Sequence, residues 1–322
     1  MPFRKSLAIV CAALLLAGGS ASAGAQIAPA ALKRLTLAEL RQRFQAPGDR
    51  YVTVGGVELR YRDEGKGPVL LLLHGSRSTL NAWDGITARL KGKYRILRFD
   101  QPPFGLSGPL TDAARKTIGS PEALVAGFLD KLGVQKANVF GVSSGGTMAY
   151  YFAATYPDRV DSVILANTPS DPVVTGKTAS TAAIDAAVVA AKRDGYEARD
   201  FWSLYLNFLY GEPARLKPGT IDYYYTTNMR VPEPNPFGLH ALTSNNAATL
   251  AHLHGVRAPV LIVWGMRDLV LPANTAGKAL QGYLDHAKSV SFVALDSVGH
   301  YPPMESPDAV GDLVDAYLKR DR

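Results

Sequence analysis

The chain has 322 residues, 47% of them hydrophobic, and carries a formal net charge of +7 at pH 7. This length allows one large buried core, and α/β proteins of this size often consist of one domain with an insertion. The Lys and Arg residues are spread along the sequence, which argues against a nucleic-acid site, because such a site needs them clustered on one face. The single cysteine, Cys11, lies in a segment that we expect to be removed. Its loss excludes disulfides, cysteine metal sites and a cysteine nucleophile.

The first 23 residues have the pattern of a secretory signal peptide. Arg4 and Lys5 are followed by an apolar stretch at residues 7–17 and by a small-residue cleavage site, Ala-Ser-Ala, at residues 21–23. The apolar stretch is too short to span a bilayer, and no later stretch reaches the ~20 residues that a transmembrane helix needs. We therefore expect an exported protein, periplasmic or secreted, with no stable membrane insertion.

Residues 24–50 form an N-terminal extension ahead of the predicted core. Apolar side chains recur among lysines and arginines over residues 30–45, which predicts an amphipathic helix. Residues 51–54 and 57–61 then alternate apolar and polar side chains around Gly55-Gly56. This pattern predicts an antiparallel hairpin with one solvent-exposed face.

The sequence next changes from alternating to continuous apolar character. Residues 69–73 are all apolar, as expected of a strand buried on both faces of a parallel sheet. Similar strands are predicted at residues 94–99, 138–142, 160–166, 260–264 and 290–295, and helices at residues 80–90, 121–132, 145–156, 272–283 and 307–319. This alternation predicts an α/β fold with a doubly wound, mostly parallel sheet that binds ligands at the carboxyl ends of its strands.

The alternation breaks at residues 171–251, which we predict to be a helical cap inserted into a core of residues 51–170 and 252–322. The segment is rich in proline and in aromatic residues. Aromatic side chains of a cap can line an apolar pocket above the strand ends. For most of them, however, packing of the cap on the core is the simpler role.

A candidate nucleophile lies in the sequence Gly141-Val142-Ser143-Ser144-Gly145. This sequence ends a predicted strand and opens a predicted helix, which is the setting of a nucleophile elbow, a strained turn that projects a serine hydroxyl above the sheet. Glycines on both sides let the backbone pass close to the serine. The pattern alone is common in glycine-rich turns, but its position after an apolar strand favours Ser143. Ser144 is not an equal candidate, because valine, Val142, and not glycine lies two positions before it.

A serine nucleophile needs a base to accept its proton and an acid to orient that base. His300 and Asp268 each follow a predicted strand, which places both near Ser143 at the same edge of the sheet. The order serine, aspartate, histidine along the chain is one of the known triad orders. Asp171, directly after another strand, is the main rival for the acid, and Asp296 is a second.

Two backbone N–H groups are candidates for an oxyanion hole, which needs preorganised donors. The N–H of Ser144 lies at the N-terminus of a predicted helix, where the helix dipole also favours negative charge. The N–H of Ser76 follows a strand in the sequence His74-Gly75-Ser76. The tight turn at His74 suggests that this histidine shapes the loop.

These stretches together resemble the α/β-hydrolase family, in its branch of capped, cofactor-free serine hydrolases. The likeness extends from about residue 50 to the end of the sequence. The matching stretches are residues 71–76, 99–107, 141–145, 265–268 and 299–300. Haloalkane dehalogenases and epoxide hydrolases of this fold carry Asp at the elbow, where this chain has Ser143. The loop after Asp100 departs from the family pattern, because Pro102-Pro103 replaces a more glycine-rich turn in the pocket wall.

The resemblance implies a hydrolase that forms an acyl-enzyme at Ser143 and acts on a small molecule, with small carboxylic esters or lactones as the first expectation. Hydrolysis of a carbon–carbon bond in a ring-cleavage product, and perhydrolysis with peroxide, use the same residues and stay open. A ligand-binding protein with a vestigial triad is a further alternative, which an intact triad disfavours. No cofactor is expected, and no metal site, since His252 and His254 are two candidate ligands without a third.

Overall fold

The computed structural model describes residues 34–170 and 180–320. The predicted signal peptide at residues 1–23 lies outside the described residues, and so does Asp171, the main rival for the acid. The first nine residues of the predicted cap, 171–179, are likewise outside them.

A short capped helix opens the described part of the chain. Helix α1 (Leu37–Phe44) is the part of the helix predicted at residues 30–45 that forms within the described residues. It begins at Leu37 because the Thr36 side chain accepts a hydrogen bond from the Glu39 N–H, while the Glu39 carboxylate accepts one from the Thr36 N–H. This reciprocal capping box satisfies donors that a helix N-terminus leaves unpaired.

Within the described residues, eight strands form one sheet. They are β1 (Arg50–Val54), β2 (Val57–Glu64), β3 (Val69–Leu73), β4 (Arg95–Phe99), β5 (Ala137–Val142), β6 (Val160–Ala166), β7 (Val260–Gly265) and β8 (Val290–Leu295). Their order across the sheet is β1-β2-β4-β3-β5-β6-β7-β8. The pairs β1–β2 and β2–β4 are antiparallel, whereas every pair from β4 to β8 is parallel. The predicted α/β fold with a mostly parallel sheet is confirmed.

The central strands are buried along their whole length. Every residue of β5 and every residue of β7 is buried. Because successive side chains of a strand point to opposite faces, such a strand must be covered on both sides of the sheet. Nearly continuous apolar sequence is therefore the correct sign of these strands, with Asn138 as the polar exception in β5.

Helices fill the connections between the strands. In chain order they are α2 (Asp84–Leu90), α3 (Asp112–Ile118), α4 (Pro121–Lys131), α5 (Ser144–Thr155), α6 (Ala182–Asp194), α7 (Arg199–Leu209), α8 (Thr220–Asn228), α9 (Leu239–Thr243), α10 (Asn246–Gly255), α11 (Lys278–Tyr283), α12 (Pro302–Glu305) and α13 (Pro307–Lys319). A 3-10 turn (Leu80–Trp83) leads into α2, and a π-helical turn (Ala273–Gly277) leads into α11. None of the helices in residues 34–170 and 180–320 has the length and apolar character needed to cross a membrane.

Helices α6 to α10 lie between β6 and β7, in the region where the sequence predicts a cap. Helix α7 packs on both α6 and α8, whereas α9 and α10 pack on α5. The predicted boundary at residue 251 falls inside α10, which continues to Gly255. The segment thus divides into the helices α6 to α8 and a pair of helices attached to α5.

Candidate active site

Ser143 occupies the sharp turn between β5 and α5. Its backbone has φ 53° and ψ −127°, a strained conformation for a residue with a side chain. The flanking glycines are needed for close approach: a Cβ on Gly141 would lie 2.3 Å from the Gly145 carbonyl oxygen, and one on Gly145 would lie 2.1 Å from the Leu73 carbonyl oxygen. The predicted elbow geometry is therefore present, and its glycines serve the predicted purpose.

A hydrogen-bonded chain joins Ser143 to the two other candidate residues. The Ser143 Oγ lies 3.1 Å from the His300 Nε2, and the His300 Nδ1 lies 2.8 Å from the Asp268 Oδ2. All three residues are buried, with 6%, 4% and 4% of their surface exposed for Ser143, His300 and Asp268. Asp296, by contrast, is exposed. The structure thus brings together three side chains from the ends of three strands.

The Asp268 carboxylate is held by its own loop as well as by His300. Its Oδ1 accepts hydrogen bonds from the Val270 N–H (2.7 Å) and the Leu271 N–H (2.9 Å). Its Oδ2 accepts one from the Asn167 side-chain amide (2.6 Å). With these donors in place the carboxylate acts as an acceptor, so the His300 Nδ1 carries a proton and the His300 Nε2 can accept one from Ser143.

Sequence reasoning missed Asn167, which is fully buried at the carboxyl end of β6. Its side-chain oxygen accepts a hydrogen bond from the Gly265 N–H (2.9 Å), and its amide donates to Asp268. Asn167 has φ 39°, a region that asparagine tolerates better than most side chains. The available signal was its place directly after a buried strand, the same signal that singled out Asp268 and His300.

The two candidate oxyanion donors lie on adjoining segments. The Ser76 hydroxyl donates to the Ser144 Oγ at 3.0 Å, which places the loop after β3 against the start of α5. Ser144 is the first residue of α5, where backbone N–H groups lack partners within the helix. Across residues 34–170 and 180–320, neither the Ser76 N–H nor the Ser144 N–H donates a hydrogen bond. Within this part of the chain, both groups are therefore available to bind a developing negative charge.

His74 shapes the loop that carries Ser76. Its Nε2 accepts a hydrogen bond from the Gln101 N–H (2.8 Å), so its Nδ1 carries the proton and donates to the Gly75 carbonyl oxygen (2.8 Å). Burial lowers the pKa of the His74 imidazole and keeps it neutral. Both ring nitrogens are therefore committed to backbone contacts, in agreement with the loop-shaping role proposed from the sequence.

A cavity of about 380 Å³ lies among residues 81–85, 217–224 and 303–307. The aromatic residues Tyr210, Tyr223 and Tyr224 line it, together with Met304, whereas Ser143, Asp268 and His300 do not. The Tyr224 hydroxyl lies 2.8 Å from the Ser78 Oγ, and burial raises the pKa of Tyr224 well above its usual value, so it remains a neutral phenol. Other aromatic residues of the segment are packed into the core, including Phe201, Trp202 and Phe237.

The two histidines that the sequence offered as candidate ligands, His252 and His254, have different surroundings in the structure. The His252 ring stacks on Tyr151, with centroids 3.8 Å apart. His254 instead lies near Asp285 and His286 on the surface, a group in which one ligand atom of each residue lies within 4.8 Å of the others. The His254 Nδ1 is 2.7 Å from Asp285, and the His286 Nδ1 is 2.9 Å from the His254 carbonyl oxygen. Hydrogen bonds thus already occupy both Nδ1 atoms.

Several known proteins that are similar to this chain are hydrolases. Residues 68–307 match the family model of the alpha/beta hydrolase fold. A 2-hydroxy-6-oxononadienedioate/2-hydroxy-6-oxononatrienedioate hydrolase from Pseudomonas sp is 26% identical over an alignment of 278 residues that covers 84% of this chain and 95% of that protein.

Solved structures show the same fold. The enol-lactonase from Burkholderia xenovorans LB400 has a TM-score of 0.63 at 23% identity, and the likeness covers 84% of this chain and 100% of that one. A thermophilic esterase from Thermogutta terrifontis has a TM-score of 0.62 at 25% identity, covering 84% of this chain and 98% of that one. The family match spans most of the sequence and includes the elbow, and the chain therefore belongs to the α/β-hydrolase family and is a hydrolase.

Proposed function

We propose that this protein hydrolyses a small carboxylic ester or lactone through an acyl-enzyme on Ser143. The observation that carries the proposal is the hydrogen-bonded chain from Ser143 through His300 to Asp268, with Ser143 on a strained elbow. A serine hydroxyl is a weak nucleophile at neutral pH, and a histidine within hydrogen-bond reach activates it. The side chains needed for acyl transfer are therefore present in the required order.

In the first half of the reaction, the Ser143 Oγ attacks the substrate carbonyl carbon while its proton passes to the His300 Nε2. The carbonyl oxygen becomes an oxyanion, which the N–H groups of Ser76 and Ser144 stabilise by hydrogen bonding. Asp268 stabilises the imidazolium and keeps its ring in place. The intermediate then collapses, the His300 Nε2 returns its proton to the leaving alkoxide, and an ester of Ser143 remains.

In the second half, water replaces the alcohol. The His300 Nε2 takes a proton from a water molecule as its oxygen attacks the acyl carbon, and the same N–H groups bind the second oxyanion. Collapse breaks the bond to the Ser143 Oγ, which regains its proton from His300. The products are a carboxylic acid and the free enzyme, so no cofactor is consumed.

A second candidate is the hydrolysis of a carbon–carbon bond. The Pseudomonas relative is named for an oxo-dienedioate, a compound whose name contains a ketone and carboxylates but no ester. Hydrolysis of such a compound has to break a bond between carbon atoms beside the ketone. The same base, nucleophile and oxyanion donors serve that reaction, so fold and triad alone do not separate the two.

A substrate panel tests the proposal. The purified protein would be assayed with p-nitrophenyl esters of increasing acyl length, with lactones, and with a 2-hydroxy-6-oxo-dienoate. We expect turnover of short esters or lactones, together with covalent labelling of Ser143 by a fluorophosphonate, seen by peptide mass spectrometry.

Each outcome of this panel has a definite meaning. Turnover of the dienoate alone would replace the ester proposal by carbon–carbon hydrolysis. Absence of both turnover and Ser143 labelling in folded protein would remove the acyl-enzyme altogether and favour a binding protein.

We also propose that the protein is exported after removal of residues 1–23. The proposal is based on the sequence of that segment, in which charged residues are followed by an apolar stretch and then by a small-residue cleavage site. Intact mass measurement of protein recovered from the periplasm or the medium should show a chain beginning near Gly24. Exported protein that retains residues 1–23 would contradict this.

A further inference from the structure

Glu305 is a buried carboxylate for which the reaction has no direct use. It ends α12, five residues after His300, and its side chain is fully buried. A buried charge is costly unless hydrogen bonds and an opposite charge compensate for its lost hydration. The contacts that compensate Glu305 therefore indicate what it does.

The Glu305 carboxylate joins two segments that are far apart in the sequence. Its Oε2 accepts hydrogen bonds from the Gly299 N–H (2.8 Å) and the Gly211 N–H (3.0 Å). Its Oε1 accepts one from the Glu212 N–H (2.9 Å) and one from the Arg215 guanidinium (3.3 Å). Gly299 directly precedes His300, whereas residues 211–215 follow α7. One carboxylate thus ties the histidine loop to the end of α7.

The two segments are in close backbone contact at this point. The His300 N–H donates to the carbonyl oxygen of Leu209, the last residue of α7, at 2.7 Å. A Cβ on Gly299 would lie 2.3 Å from that same oxygen, and a Cβ on Gly211 would lie 2.7 Å from the Gly299 nitrogen. Consecutive N–H groups at Gly299 and His300 are thus held by Glu305 and by α7. The backbone that carries the imidazole has little freedom to move.

We propose that Glu305 is a positioning residue that locks the His300 loop to the segment at residues 209–212, which we name the α7 exit. The lock keeps the His300 Nε2 in line with the Ser143 Oγ and makes the placement of the base depend on the position of α7. This inference rests on the proposed function, because it assigns the lock a role in acyl transfer. The hydrogen bonds themselves do not depend on that function.

The informative variant is Glu305→Gln, which keeps the shape and removes the charge. If the amide oxygen faces Gly299 and Gly211, the NH₂ group faces the donors of Glu212 and Arg215. If the amide is turned, Gly299 and Gly211 lose their acceptor. In the first orientation Gly299 and Gly211 still share an acceptor, but Glu212 and Arg215 lose theirs. In the second the shared acceptor is lost, so the connection between the loop and the α7 exit is weakened in either case.

We expect Glu305→Gln to lower kcat by about 10²-fold, because a misplacement of about 1 Å in a catalytic group costs that much. KM should stay within about threefold, since the carboxylate is fully buried and its oxygens are engaged by protein donors. The rate of fluorophosphonate labelling at Ser143 should fall with kcat, because it depends on the same base.

A matched control separates positioning from general loss of stability. Asp315 is also a buried carboxylate, and it accepts hydrogen bonds from Lys93, Lys319 and Tyr94 at the opposite edge of the sheet. Asp315→Asn should lower the melting temperature while leaving kcat within about threefold of wild type. An equal fall of kcat in both variants would mean that Glu305 only stabilises the fold.

A second variant approaches the contact from the α7 exit. Gly211→Ala leaves Glu305 intact but places a methyl group against the Gly299 backbone. We expect kcat to fall by about tenfold, again with little change in KM. It keeps the inference testable if Glu305→Gln does not fold, and unchanged kcat in Gly211→Ala would then overturn the inference.

Hydrogen exchange distinguishes failure of this inference from failure of the proposed function. In Glu305→Gln, peptides covering residues 209–212 and 297–300 should exchange faster than in wild type, whatever reaction the protein catalyses. Unchanged exchange together with unchanged kcat would overturn the lock. Absence of ester turnover and of Ser143 labelling in wild type would overturn the function, and with it the role of the lock in acyl transfer.

Discussion

Replacing Ser143 with alanine is expected to lower kcat for the best ester or lactone by about 10⁴- to 10⁶-fold, in line with the loss of a nucleophile from a triad. The change removes one hydroxyl and keeps the Cβ, so the packing of the elbow is preserved. His300 and the oxyanion donors would remain but would have no group to activate. The measurement is steady-state kinetics on purified wild type and Ser143→Ala, with far-ultraviolet circular dichroism and thermal melting as checks of folding.

Substrate binding should survive this change, because the N–H groups and the pocket walls stay in place. The matched control is Ser144→Ala, which removes the neighbouring hydroxyl but keeps the backbone N–H that we assign to the oxyanion hole. We expect Ser144→Ala to lower kcat far less than Ser143→Ala does. A Ser143→Ala protein that retains a tenth of wild-type activity would show that another group attacks the substrate.

The second large effect is expected for Asp268→Asn, with a loss of about 10⁴-fold in kcat. The His300 Nδ1 now donates to the Asp268 Oδ2 at 2.8 Å. An asparagine there can present an NH₂ group to the ring, which favours the tautomer that carries its proton on Nε2. That tautomer cannot accept the Ser143 proton, although the shape of the site is nearly unchanged. Steady-state kinetics measures the loss.

Two comparison variants test the assignment of the acid. Asp296→Asn should leave kcat nearly unchanged, because Asp296 is exposed and the His300 Nδ1 already has a carboxylate partner. Asp171→Asn should also lower kcat much less than Asp268→Asn does. If Asp171→Asn caused the large loss of kcat while Asp268→Asn stayed active, the acid would be wrongly assigned. The assignment of Ser143 and His300 would not change.

The sequence was sufficient wherever the determining signal is local. A strand covered on both faces is mostly apolar, so β3 and β7 were visible as uninterrupted apolar runs and β5 as a run that only Asn138 interrupts. The elbow was visible because a serine on a strained turn needs glycine on both sides, at Gly141 and Gly145. Parallel strands place their carboxyl ends at one edge, and this rule, together with the order serine, aspartate, histidine along the chain, made Asp268 and His300 the first candidates, with Asp171 and Asp296 as rival acids.

Helix boundaries were less visible, because caps and packing determine them more than composition does. The helix predicted from residue 30 begins at Leu37 within the described residues, since the capping box of Thr36 and Glu39 defines its start. The predicted boundary at residue 251 falls inside α10, because that helix packs on α5 and continues to Gly255. The capping box has a sequence signature, Thr36 followed three residues later by Glu39, which the apolar periodicity did not take into account. The packing of α10 on α5 has no such signature in a single sequence.

The sequence by itself determined the order of the strands and helices, the elbow and the residues at the strand ends, because each depends on neighbours a few positions away. Only the tertiary structure decided how those residues are held. Asn167 holds Asp268 across 101 positions of the chain, and Glu305 reaches Gly211 across 94. A hydrogen bond between residues so far apart depends on how the chain folds back, and no pattern in the intervening sequence encodes its distance or direction.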